Sequence, residues 1–110
     1  MKKIMLFAIA FLGAALAAQA DTAKANWQAN CAVCHGKEGE GDTGMGRYLR
    51  VADFQSPKVQ ASFTDEQAAK AIKEGIVKDG KMKMKSFGSQ LSDQEIKDLV
   101  KYVRGFKKGK

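Results

Sequence analysis

Five residues, Cys31-Ala32-Val33-Cys34-His35, constrain this chain more than any others. They hold its two cysteines and its one histidine. Two thiols three residues apart on one helical turn can add to the two vinyl groups along one edge of a porphyrin. The histidine that follows is then held beneath the ring and can ligate the iron through an imidazole nitrogen. Cys-x-x-Cys-His is the attachment signature of a c-type haem. The spacing predicts one covalent haem on Cys31 and Cys34, with His35 as an iron ligand. Other chemistries fit less well. A zinc site takes three or four protein ligands, and the chain has no second Cys/His pair to complete one. A thioredoxin-like dithiol would sit in a βαβ pattern, and no strand-rich run flanks this one. A disulfide across Cys31 and Cys34 would close too short a loop to add much stability.

The N-terminus reads as a secretory signal peptide over residues 1–20. Lys2 and Lys3 form a positive start, Ile4 to Ala18 is apolar, and Ala18-Gln19-Ala20 is a small-x-small cleavage site. The apolar run is short for a retained membrane anchor. Residues 21–110 then form one small domain of ninety residues. A domain of that size makes only a modest core, which a haem would fill. Cleavage also removes Lys2 and Lys3, so the net charge falls from +7 to +5. Two haem propionates would bring it to about +3. The basic residues lack interleaved aromatics, so nucleic acid is a poor partner. An acidic redox protein, in the membrane or the periplasm, is a better one.

Residues 22–34 predict a helix with Asp21 or Thr22 as N-cap. Trp27, Cys31 and Cys34 share one face of it. Residues 36–46 carry five glycines in eleven positions and read as a loop. Residues 47–54 read as irregular or a single turn, and Ser56-Pro57 starts a turn or a short helix. Thr64-Asp65-Glu66-Gln67 is a capping box, opening a helix that Gly75 ends. Residues 76–88 read as a loop around the turn signal Asp79-Gly80. Ser92-Asp93-Gln94-Glu95 is a second capping box, with Leu91 and Ile96 as a hydrophobic staple. Its helix presents Ile96, Leu99, Val100 and Val103 on one face and stops near Gly105. No strand alternation, internal repeat or second domain is visible.

A haem on His35 keeps one axial position open. No second histidine exists, so the residues themselves leave methionine, lysine, water or an external ligand. Met82 and Met84 lie in a loop far from His35 in sequence, as a ligand on the opposite face requires. Met45 lies beside His35 and is expected to pack.

The mature chain resembles a class I cytochrome c of the small bacterial periplasmic monohaem type. The likeness rests on Trp27, Cys31-Ala32-Val33-Cys34-His35-Gly36, Ala52-Asp53-Phe54, the Thr64 capping box, Met84-Lys85-Ser86-Phe87, and Leu91 to Val103. It implies an all-α cytochrome c fold, with crossed N- and C-terminal helices around one covalent haem and Trp27 near Leu99 and Tyr102. In the family the axial methionine stands three residues before an aromatic. Carried onto this chain, that is Met84 before Phe87, with Met82 as runner-up. Lys85 stands where the family often has proline. Gly44-Met45-Gly46 stands where the family often has the Gly-Pro step whose carbonyl accepts from the histidine. Arg47, Tyr48 and Arg50 are candidate propionate donors.

The resemblance further implies a monomeric carrier: electron transfer by a His/Met haem, with no substrate transformed and so no enzyme activity. Haem attachment in bacteria happens outside the cytoplasmic membrane, which agrees with export to the periplasm. Two alternatives remain open. One is a haem protein with a labile sixth ligand, acting as a peroxidase or gas binder. The other is a dedicated subunit of one dehydrogenase or oxidase. Lys78, Lys81, Lys83 and Lys85 around the methionines suit an acidic partner, or are simply solvated.

Overall fold

The computed structural model describes residues 17–109. Helix α1 runs over 17–26, passes through a π-helical turn Trp27–Cys31, and closes with Ala32–His35. Neither Asp21 nor Thr22 caps it, contrary to the sequence expectation. Thr22 lies inside the helix, and its hydroxyl donates to the Ala18 carbonyl at 2.9 Å. The expected signal peptide falls mainly on residues 1–16, which lie outside the described residues. Among the described residues no helix is long and apolar enough to cross a membrane.

The π turn also goes beyond the sequence reading. The Ala32 N–H reaches back five residues to the Trp27 carbonyl, and both ends of the turn, Trp27 and Cys31, are buried. Such single wide turns inside helices occur frequently at functional sites.

Helix α2, Gly44–Leu49, replaces the end of the expected loop and the start of the irregular stretch. Thr43 caps it, accepting from the Gly46 N–H at 2.8 Å. Glycine at 46 is demanded by packing. A Cβ there would collide with the carbonyls of Cys34 and Gly41, so α2 lies directly on the backbone of the cysteine turn. Helix α3, Pro57–Gln60, has Ser56 as its cap and proline in its first turn, where the missing N–H costs nothing.

Helices α4, Asp65–Glu74, and α5, Asp93–Arg104, start on the two capping boxes read from the sequence. In each, the cap hydroxyl accepts from the third helical N–H and the third side chain accepts from the cap N–H. Leu91 and Ile96 both enter the core at the start of α5.

Between α4 and α5 the chain forms a hairpin, not the expected loop. Strand β1, Ile76–Lys78, pairs antiparallel with β2, Lys81–Met84. Asp79 and Gly80 both have positive φ, 54° and 76°, as a two-residue primed hairpin turn requires. The turn signal was legible; the strands were not, because three lysines interrupt their apolar pattern.

The core gathers Trp27 and Cys31 of α1, Ile72 of α4, Phe87, Leu91, and Ile96, Leu99, Val100 and Val103 of α5. Trp27 joins the terminal helices, as expected: its ring lies 5.9 Å from Tyr102 and 4.9 Å from Phe106. Asn26 donates to Glu95 across the same junction. Buried Gln60 donates to the Phe54 and Val103 carbonyls at 2.7 and 2.9 Å. Arg104 donates to the Gln60 side chain, to the Phe63 carbonyl and to Asp65. This polar group fastens the α3–α4 connection to α5.

Candidate haem centre

Cys31 is buried and Cys34 half-buried on the last turns of α1, and neither is in a disulfide. Burial, with Cys34 beside it, pushes the Cys31 thiol up to about 11. At pH 7 that sulfur is a neutral thiol. A zinc site takes at least three protein ligands, and among the described residues no three His, Cys, Asp or Glu side chains come together as a metal-binding group. A thioether, by contrast, is a neutral sulfur and is at home in this core. The donor set therefore fits a covalently attached haem.

His35 ends α1. Gly36 follows with φ 85°, and a Cβ on it would collide with Glu40, so the sharp turn after the histidine needs glycine. Trp27 Nε1 donates to the Gly36 carbonyl at 3.0 Å, which locks that turn to the core. Burial of the imidazole holds its pKa below the ordinary value, favouring the neutral form that ligates iron. Its Nδ1 is buried with no hydrogen-bond partner among the described residues.

Thr43 is a site residue that the sequence reading passed over. Its hydroxyl lies 2.9 Å from the Val33 carbonyl and 3.1 Å from that of Cys34, while it accepts from Gly46. It thus joins the cysteine turn to α2. The available signal was its place one residue before Gly44, a cap preceding a helix that two glycines disguised.

The two candidate methionines both lie on β2 and differ in burial. Met82 pairs with Val77, and Met82 is 68% exposed. Met84 is half-buried and packs against the core cluster that contains Cys31. A register shift between Ile76 and Val77 lets Met84 face inward while Met82 faces out. Gly75 makes the approach possible. It has φ 77°, and a Cβ there would lie 2.6 Å from the Met84 carbonyl. Met45, expected to pack, is 48% exposed on α2 instead. Of the candidate propionate donors, Arg47 pairs with Asp42, Tyr48 is 81% exposed, and Arg50 is the left-handed cap of α2.

The chain is similar to known proteins. Residues 18–103 match the family model described as cytochrome c oxidase, cbb3-type, subunit III. Among solved structures, the KustC0563 c-type cytochrome is 34% identical, with a TM-score of 0.68 over 77% of this chain and 96% of that one. A Tyr-to-Phe variant of the same protein is 33% identical, with a TM-score of 0.66 over 77% and 98%. No curated protein matches the chain. The fold and the site define a small class I monohaem cytochrome c. The chain belongs to the cytochrome c family of that cbb3-type model, whose cofactor is a covalently bound haem c and whose chemistry is haem-based electron transfer.

Proposed function

We propose that the protein is a soluble periplasmic electron carrier, with its one haem on Cys31 and Cys34 and with His35 and Met84 as iron ligands. The observation that carries this reading is the burial of the Cys31 turn in the same core against which Met84 packs. Bound there, the haem supplies an iron that changes charge by one electron with both ligands in place, and thioether ligation raises its potential. Cys31 and Cys34 fix one edge of the macrocycle, and His35 offers a neutral imidazole. Met84, drawn inward at Gly75, offers sulfur from the hairpin. Leu91, Ile96 and Val100 keep water from the interior. Nothing is chemically transformed, so no catalytic residue is assigned. The Lys2-Lys3 start and apolar run of the N-terminus support export, and cytochromes of this kind are typically exported.

Lys78, Lys81 and Lys83 are exposed on the hairpin and stand in no ion pair among the described residues. Val77 and Met82 face each other between them, 69% and 68% exposed. An apolar pair ringed by lysines suits an acidic redox protein: the charges steer encounter and the pair is covered on contact.

The test is a potentiometric titration with optical spectra of both oxidation states. A single one-electron wave and no carbon monoxide adduct of the reduced protein at neutral pH are expected. Ready carbon monoxide binding would instead support the labile-ligand alternative. One observation favours a second reading, a fixed subunit of an oxidase: the matching family model is described as an oxidase subunit. Comigration with a large membrane complex in native extracts, with no free small form, would support that reading.

A further inference from the structure

Helix α1 ends on the cysteine turn, and each carbonyl from Ala32 to Gly36 there accepts a hydrogen bond. The Gly36 N–H serves Ala32 at 2.9 Å, the Gly41 N–H serves His35 at 2.7 Å, and the Trp27 indole serves Gly36 at 3.0 Å. The two carbonyls between them, Val33 and Cys34, share one donor. It is the Thr43 hydroxyl, at 2.9 and 3.1 Å. The last carbonyls of a helix have no partner within it, and they carry the negative end of its dipole. In this chain that negative end is the segment holding Cys34 and His35.

The hydroxyl is held in place from α2. It accepts from the Gly46 N–H at 2.8 Å, which leaves its hydrogen for the cysteine turn. Gly46 closes the far side: a Cβ on it would collide with the Cys34 carbonyl and would lie 2.9 Å from the Thr43 hydroxyl oxygen. No water fits between Gly46 and that carbonyl. The bond to Val33 is exposed, so water can take its place, whereas the bond to Cys34 is half-buried. The Cys34 carbonyl therefore depends most on Thr43.

We infer that Thr43 is a positioning residue of the haem centre. Its hydroxyl fixes the cysteine turn against α2 and raises the reduction potential of the iron by partly neutralising the Val33 and Cys34 carbonyls. The inference rests on the proposed haem attachment at Cys31 and Cys34 and on ligation by His35. The sign follows from charge. Fe(III) carries one positive charge more than Fe(II), so bare carbonyls at the end of α1 stabilise it and lower the potential. A donor hydrogen on those carbonyls acts in the opposite sense.

The experiment compares the full holoprotein with Thr43→Val, which keeps the shape of the side chain without the hydroxyl, and with Thr43→Ser, which keeps the hydroxyl. Thr43→Val should shift the reduction potential downward, and Thr43→Ser should stay at the parent value. In the reduced, diamagnetic proteins, 13C NMR should show the Cys34 carbonyl resonance moving upfield in Thr43→Val. The His35 carbonyl, still served by Gly41, should not move. Thr43 also caps α2, so Thr43→Val should melt lower whatever the hydroxyl does for the iron. A Thr43→Val protein that melts lower but keeps the parent potential would show that Thr43 is a helix cap and nothing more. An equal shift in Thr43→Ser would assign the effect to the methyl group and overturn the inference. If Thr43→Val takes up no haem, Thr43→Ala, which also lacks the hydroxyl and is smaller, carries the same comparison. A parent without covalent haem overturns the underlying reading and this inference with it. A haem-loaded parent whose potential is indifferent to the hydroxyl overturns only the inference.

Discussion

Met82 and Met84 stand two residues apart and would share a face in a regular strand. The register shift in the hairpin separates them, and their different burial gives a prediction. Met84→Ala should abolish the weak long-wavelength sulfur-to-iron charge-transfer band of the oxidised protein, whereas Met82→Ala should leave it. The reverse result would move the ligand to Met82. Gly75 is the second decisive residue. Its φ of 77° and ψ of −177° fall in a region essentially reserved for glycine. Gly75→Ala should cost about 1–3 kcal/mol in a denaturant melt and weaken the same band. An unchanged melt would show that the β2 backbone has room to retreat.

Among the elements, the two capped helices were legible because each cap is a local, reciprocal exchange written into four residues. Thr64 to Gln67 and Ser92 to Glu95 form as their types require. The hairpin, α2 and the π turn were not, and the reasons differ. The strands gain their pairing from the Asp79-Gly80 turn rather than from an apolar face. Helix α2 contains two glycines and stands because Thr43 caps it and Gly46 lets it rest on Cys34. The π turn adds no residue type of its own, only a wider winding that keeps Trp27 and Cys31 inside. The CxxCH part of the centre was readable from scarce residues at fixed spacing. The ring contacts of Phe54 with His35 were not, since nineteen positions separate them and only folding brings them together.

The α5 cap makes a pH prediction. Hydrogen bonds from the Ser92 backbone and side chain, and from Asn26, hold the Glu95 carboxyl below its ordinary value. A carboxylate with a depressed folded pKa contributes stability above its unfolded pKa. That contribution is lost as pH falls through the folded value. Glu95→Gln should therefore flatten the acid-side decline in stability, followed by denaturant melts from neutral pH down past the unperturbed 4.5. A parallel decline in both proteins would exclude the effect. Ser92→Ala should cost about 1 kcal/mol at neutral pH, measured the same way.

Across the whole molecule, a basic hairpin adjoins a core built on the cysteine turn. Electron exchange with an acidic partner should slow as salt rises, because steering is screened over roughly 8 Å at physiological ionic strength. Reversing Lys81 and Lys83 together to Glu should slow exchange at low salt and flatten the salt dependence, with potential and spectrum little changed. A rate indifferent to both would exclude this face. All of this depends on haem attachment at one place. The most direct measurement is the intact mass of the mature protein, made with a working haem-attachment system, followed by peptide mapping. The expected result is the mass of the polypeptide plus one haem, with the added mass confined to the peptide spanning Cys31 to His35. A polypeptide mass without haem, short of two hydrogens for a Cys31–Cys34 disulfide, would contradict it.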